Sequence, residues 1–126
     1  MTRPDTQTLF TTGMARALHH WLAFWQQDGH DAEAQRQASG HTLRALMWCA
    51  DWGEAPETTA DLALALEQHM MRAGRWAEWE LCLRHVLDHT RPRINDARRY
   101  ELQHRLAALS FRLHRLDEAI ALAEDN

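Results

Sequence analysis

The residues of this chain whose type and spacing could bind a metal are histidines, of which the sequence contains nine. His85 and His89 are four positions apart, so on a helix both side chains would lie on one face and could chelate one ion, with Asp88 adjacent. The string lacks the Glu that follows the first His in a zincin helix, and spacing identifies no third ligand. We therefore predict no metal site and retain His85 and His89 only as candidates.

The cysteines favour packing over catalysis. Cys49 and Cys82 lie in apolar, helix-like patterns and not in a C-x-x-C motif, which predicts buried thiols instead of a disulfide, a zinc site or a nucleophile. A P-loop needs a Gly-rich string ending in Gly-Lys-Ser or Gly-Lys-Thr, and the chain has no Lys. We predict that the protein is not an enzyme and uses no cofactor.

Tryptophan and arginine offer contact residues for a partner. The sequence has six Trp, and Trp and Arg carry much of the binding energy at protein interfaces. At least one Trp of each neighbouring pair has the periodicity of a core residue, and the arginines fit either a solvated loop or a grip on an acidic peptide or phosphate. The predicted partner-contact residues are Trp52, Trp79, Arg91, Arg93, Arg98 and Arg99.

Composition indicates that helices must carry these residues. The 126 residues include 20 Ala and 17 Leu but only one Val and two Ile, which predicts a single all-α domain. The net charge of −4 argues against a nucleic-acid partner or an anionic membrane surface. Because the N-terminus is polar and no apolar run reaches the ~18 residues of a spanning helix, we expect no membrane anchor and a cytoplasmic location.

Apolar residues at steps of three and four divide the chain into six amphipathic helices. Breaks are expected near Gly29, Gly53, Gly74 and Pro92, and a last one near His114. Short connections make successive helices antiparallel, which predicts three stacked helical hairpins. The predicted helices span residues 6–28, 31–52, 58–73, 75–90, 95–113 and 116–126.

Two strings align without gaps at a spacing of 40 residues, RAGRWAEW at 72–79 and RLHRLDEA at 112–119. Each is expected where one helix ends and its partner begins. A Leu, Leu66 or Leu106, precedes each turn by eight residues, and an apolar residue, Trp76 or Leu116, follows it by two. These are the packing positions of one hairpin stacked on the next.

Leu106-Ala107 followed by HRLDEAI at 114–120 resembles the tetratricopeptide repeat, whose pattern has a Leu with a small neighbour, a Gly-x-aromatic turn and then Asp-Glu-Ala. The earlier copy departs from that pattern, with Glu67 in place of the small residue and Trp79 in place of Ala. The spacing of 40 also exceeds the ~34 of the ordinary repeat.

A second resemblance concerns HTLRALMWC at 41–49 followed by MRAGRWAE at 71–78, which is similar to the helical segment after the ATPase module of large bacterial signalling ATPases of the NB-ARC type. Together the resemblances cover residues 17–126. They imply a TPR-like α-α superhelix with a binding or assembly surface and no catalysis of its own. The chain would then be either a whole protein or a piece of a larger one.

The predicted function is therefore a protein-protein interaction or oligomerisation module with a scaffolding or regulatory role. Two alternatives stay open, a helical metal-dependent enzyme that uses paired histidines and a small-molecule sensor with a Trp-lined pocket. The predicted partner is a protein or peptide, or a second copy in a two-fold homodimer through the C-terminal helices. The self-association candidates are Leu113, Ala119 and Leu122, because no later helix covers them.

Overall fold

The computed structural model describes residues 6–124, which contain five α-helices and no strand. The prediction of an all-α fold is confirmed. A short 3₁₀ turn, Arg91–Arg93, connects the last two helices. In chain order the helices are α1 (Thr6–Gln26), α2 (Ala32–Trp52), α3 (Pro56–Arg72), α4 (Trp76–Thr90) and α5 (Asp96–Glu124).

Local side-chain and backbone contacts explain where the helices begin and end. The Asp31 carboxylate accepts a hydrogen bond from the Ala34 amide at 2.7 Å, and the Asn95 side chain accepts one from the Arg98 amide at 2.9 Å, so these residues cap α2 and α5. The third helix begins at Pro56, two residues before the predicted start, since proline suits a first helical turn, where its missing N–H costs nothing.

Glycines close the turns after α2 and α3. Gly53 and Gly74 both have a left-handed backbone, with φ of +70° and +73°. In each turn the glycine amide donates to a carbonyl three residues back and the next amide donates to one five residues back. This hydrogen-bond pair reverses the chain within a few residues and makes the neighbouring helices antiparallel. The helix break predicted near Gly74 is confirmed.

Helices pack chiefly on the next helix in the chain and on the one after that. α1 contacts α2 and α3, α2 contacts α3 and α4, and α5 contacts α4 and α3. One continuous core joins all five helices, and its largest fully buried side chains include Leu18, Leu46, Leu66, Trp79 and Leu102. None of the helices described within residues 6–124 is long and apolar enough to cross a membrane.

The predicted break between a fifth and a sixth helix is wrong. α5 runs without interruption from Asp96 to Glu124, so the string at 112–119 lies inside a helix, whereas its aligned counterpart at 72–79 forms a turn around Gly74. The physical reason is that α5 contains neither Gly nor Pro, and Nε2 of His114 lies 3.0 Å from a carboxylate oxygen of Glu118, one helical turn further on. Residues 125 and 126 of the predicted sixth helix lie outside the described part.

The two turn glycines should differ in how well they tolerate alanine. An added methyl at Gly74 meets open space, whereas at Gly53 it overlaps the guanidinium of Arg93, which donates to the Gly53 carbonyl. Gly74→Ala should cost about 1 kcal/mol, the price of a left-handed Ala. Gly53→Ala should cost about 1 kcal/mol more, because the hydrogen bond to Arg93 is also lost. Urea unfolding of both variants measures the difference.

An Arg93→Ala background is the control, because it removes the overlapping side chain. There the two glycine substitutions should have equal costs. Equal costs in the presence of Arg93 would show that the contact over Gly53 does not exist in solution.

Candidate functional site

The two tryptophans that are predicted to contact a partner differ in burial. Trp52 ends α2 and is 53% exposed. Trp79 is completely buried, because it continues the inward stripe of Leu83 and Val86 on α4. The prediction that Trp79 contacts a partner is therefore corrected, since it belongs to the core.

Three of the four clustered arginines make contacts within the chain. Arg98 binds Asp61 at 2.8 Å and Glu57 at 3.2 Å, and so ties the start of α5 to the start of α3. Arg99 pairs with Asp96 in its own helix, and Arg93 donates to the Gly53 carbonyl at 3.1 Å. Arg91 is exposed in the 3₁₀ turn. These contacts give Arg93, Arg98 and Arg99 a structural role, and partner contact by the cluster stays a prediction.

A buried carboxylate lies between α3 and α5, at the position where the repeat pattern has a small residue. Glu67 is 6% exposed and accepts a hydrogen bond from Nη1 of Arg105 at 2.9 Å. Burial raises the pKa of the Glu67 carboxyl above its ordinary value, and the nearby Arg105 charge opposes part of that shift. The buried indole N–H of Trp79 also lies near enough to lower this pKa, although it makes no hydrogen bond of good geometry. Glu67 thus fills the place of the expected small residue as one end of an interhelical ion pair.

The raised pKa of Glu67 makes a pH-dependent prediction. A carboxyl whose pKa is higher in the folded than in the unfolded chain stabilises the fold at low pH, and that contribution is lost as pH rises through the folded value. Glu67→Gln removes the titrating group. The stability of this variant relative to the wild type should therefore improve as pH increases from about 4 to 7.

Thermal unfolding at several pH values measures this difference. Glu101→Gln is the matched control, because Glu101 also pairs with Arg105 but is half exposed. A stability difference for Glu67→Gln that is flat with pH would contradict the assignment of a raised pKa.

His85 and His89 share one face of α4 as predicted, and the structure adds a residue that spacing did not supply. Nε2 of His85 lies 2.6 Å from Oδ1 of Asp51, which is on the last turn of α2, 34 residues earlier. The His85 and His89 ring centroids are 4.1 Å apart. Asp88, adjacent in sequence, is not part of this group. The packing of α2 on α4 therefore adds Asp51 to the His85–His89 pair and forms a cluster of three residues.

Both cysteines are free. Cys49 is buried, as predicted, and burial raises the pKa of its thiol to about 11. Cys82 is half-buried, and burial raises its pKa also. Because a thiolate is the nucleophilic form, these environments disfavour cysteine chemistry.

A groove of about 460 Å³ lies between α1 and α2, and two of its walls are Trp21 and Trp48. Trp21 stacks on His41, with ring centroids 5.6 Å apart and planes nearly parallel. Met14, Ala17 and Ala45 also contribute to the apolar lining. This groove fits the Trp-lined pocket of the sensor alternative.

Four of the five large apolar side chains that α5 exposes lie in its C-terminal part, residues 111–124, here called the α5 tail. Seven apolar residues along α5 alternate steps of four and three and so form one line, the α5 stripe: Leu102, Leu106, Leu109, Leu113, Leu116, Ile120 and Ala123. Its first four members pack on the core. Leu116 and Ile120 are 45% and 48% exposed, and Ala123 is exposed.

The α5 tail changes the set of self-association candidates. Leu113 is half-buried against the core and so offers less surface to a partner than Ala119 or Leu122, which are exposed. Ala119 and Leu122 are exposed but lie beside the stripe and not on it. Leu116, Ile120 and Ala123 continue the stripe on the same unbroken helix and form its accessible line.

No protein-family model, curated protein or solved structure matches this chain.

Proposed function

We propose that this chain is a protein-interaction and oligomerisation module, built as a TPR-like stack of helical hairpins, and that its partner is a second copy bound through the α5 tail. The order of helix contacts supports the stack, because each helix packs on its next and next-but-one neighbours. The apolar α5 stripe that continues past the core carries the proposal of self-association.

The lengths of the last two helices explain why the stripe is uncovered. α4 has 15 residues and α5 has 29, which correspond to about 22 Å and 43 Å. α5 therefore extends beyond α4, and its tail has too little neighbouring structure to bury Leu116 and Ile120. A helical segment this short is marginal in water without packing, so burial against another helix stabilises it.

Charge along the α5 tail favours a second copy in antiparallel orientation. The tail is basic at its start, with Arg112 and Arg115, and acidic after that, with Asp117, Glu118 and Glu124. Antiparallel pairing brings the basic part of one tail opposite the acidic part of the other and sets the helix dipoles in opposite directions.

The position of the core leads to the same orientation. In its first half the α5 stripe faces its own core through Leu102 and Leu109. A parallel partner helix would run into that core, whereas an antiparallel partner places the two cores at opposite ends of the paired tails. The two-fold dimer is thus closed and each tail covers the other.

The groove between α1 and α2 supports the second candidate function, a small-molecule sensor, because two indole rings line it. The groove is broadly open to solvent, whereas small-ligand pockets bury most of the ligand surface. The interaction module is therefore the preferred function.

Replacing a stripe residue by an acid should abolish self-association. In Ile120→Glu each copy would bury a charge against the partner tail, and the charge is costly when unpaired. Sedimentation equilibrium should show a reversible monomer-dimer system for the wild type. Each copy contributes only one short helical segment to the interface, and small interfaces are typical of transient complexes. The Ile120→Glu protein should be a monomer over the same concentrations.

Leu81→Glu is the matched control, because Leu81 is 68% exposed on α4 and lies off the α5 tail. It should dimerise like the wild type. A wild-type protein that is monomeric throughout, or a dimer that Ile120→Glu leaves intact, would overturn the proposal.

A further inference from the structure

We propose that Asp51, His85 and His89 form a binding site for a divalent transition-metal ion, with zinc as the best fit, that links α2 to α4. The site is independent of the self-association surface, since none of its residues belongs to α5.

The first argument is the convergence of three ligand side chains from two helices. Each of the three residues offers one ligand atom, and these atoms all lie within 4.8 Å of one another. His85 and His89 are one turn apart on α4, while Asp51 comes from the end of α2. Ligands within this distance can surround one ion after small side-chain rotations, because zinc bonds are about 2.0–2.2 Å long.

The hydrogen bond of His89 fixes its ring in the form that binds metal. Nδ1 of His89 lies 2.9 Å from the backbone carbonyl oxygen of His85. A carbonyl only accepts, so Nδ1 carries the proton and donates it, and Nε2 keeps a free lone pair. A ring N–H donated to a backbone carbonyl is the common way in which proteins orient metal-binding histidines.

The contact between His85 and Asp51 supplies the other two ligands. Without metal, Nε2 of His85 donates a hydrogen bond to Oδ1 of Asp51 across 2.6 Å. A zinc ion would take the place of that proton on Nε2 while Nδ1 of His85 takes up a proton from solvent, so the ring stays a neutral imidazole, and the two ligand atoms would separate to roughly 3.3 Å around the ion. The Asp51 side chain is 50% exposed and His85 29% exposed, so both can make this adjustment.

The donor set selects the class of metal. Two imidazoles and one carboxylate suit zinc and its first-row neighbours, whereas Mg²⁺ and Ca²⁺ prefer oxygen ligands alone. Three protein ligands leave a fourth tetrahedral position, which faces solvent here and would hold water. Since the ligands come from α2 and α4, which pack together, the ion would stabilise the folded stack by its binding free energy.

Titration of the full chain without a polyhistidine tag tests the site. Isothermal calorimetry with zinc chloride should show one saturable high-affinity event, and the melting temperature should rise with the logarithm of zinc concentration above the dissociation constant. Magnesium chloride at the same concentrations should give neither effect.

The decisive variants are Asp51→Asn and the double substitution His85→Ala with His89→Ala. Asp51→Asn keeps the size of the side chain, so it tests the site even where the double variant folds poorly. Each should weaken zinc binding at least tenfold while leaving the metal-free melting temperature within a few degrees. His104→Ala, which removes an exposed histidine of α5, is the control and should bind zinc like the wild type.

Two results overturn the proposal. One is the absence of saturable zinc binding to the wild type. The other is zinc binding of equal affinity in the wild type and in Asp51→Asn, which would assign the ion to other histidines of the chain.

Discussion

α5 is almost twice as long as α4, and this difference in length determines which part of α5 the rest of the fold can bury. Over its first half, α5 buries Leu102 and Leu109 against the core, and Arg98 and Arg105 tie it to acidic residues of α3. Over its second half, the same line of apolar residues continues, and the described helices leave Leu116 and Ile120 45% and 48% exposed. Because the first half of α5 is packed and ion-paired, the orientation of the helix is fixed. Its second half therefore presents an apolar surface of defined orientation.

A second constraint comes from the sharp turns after α2 and α3. Because each turn reverses the chain within a few residues, side chains about 34–40 positions apart meet across the stack. Asp51 meets His85, Gly53 meets Arg93, and Glu67 meets Arg105, each pair joining one helix or turn to the next but one. The Asp51–His85–His89 cluster and the interhelical ion pair are therefore consequences of the same stacking order, and the spacing of 40 between the two aligned strings is of similar size.

Helix bounds are predictable from the sequence where a Gly or Pro interrupts the helical pattern. Gly53, Gly74 and Pro92 interrupt the helical pattern, and the first four helices lie close to their predicted bounds for that reason. Around His114 the sequence offers no such interruption, and the break was inferred only from alignment with the Gly74 turn. The continuous helix follows from the residues themselves, all of which tolerate a helix interior.

The candidate sites were harder to predict than the helices, because they depend on contacts between distant residues. The spacing of His85 and His89 showed that they share a face, but nothing local indicates that Asp51 is their neighbour. Trp79 was open to either assignment, since periodicity alone does not tell a fully buried indole from one at the edge of a groove. Glutamate is usually exposed, so the sequence pattern alone does not predict that Glu67 is buried. Its burial between α3 and α5 is compensated by the ion pair with Arg105 of α5.

Hydrogen exchange along α5 at low and high protein concentration tests the central claim most directly. Amides of residues 114–124 should exchange rapidly in dilute protein, where the tail lacks a partner, and become protected as concentration rises, while those near Leu102 stay protected throughout. Exchange in the tail that is the same at both concentrations would contradict the account that a second copy covers it.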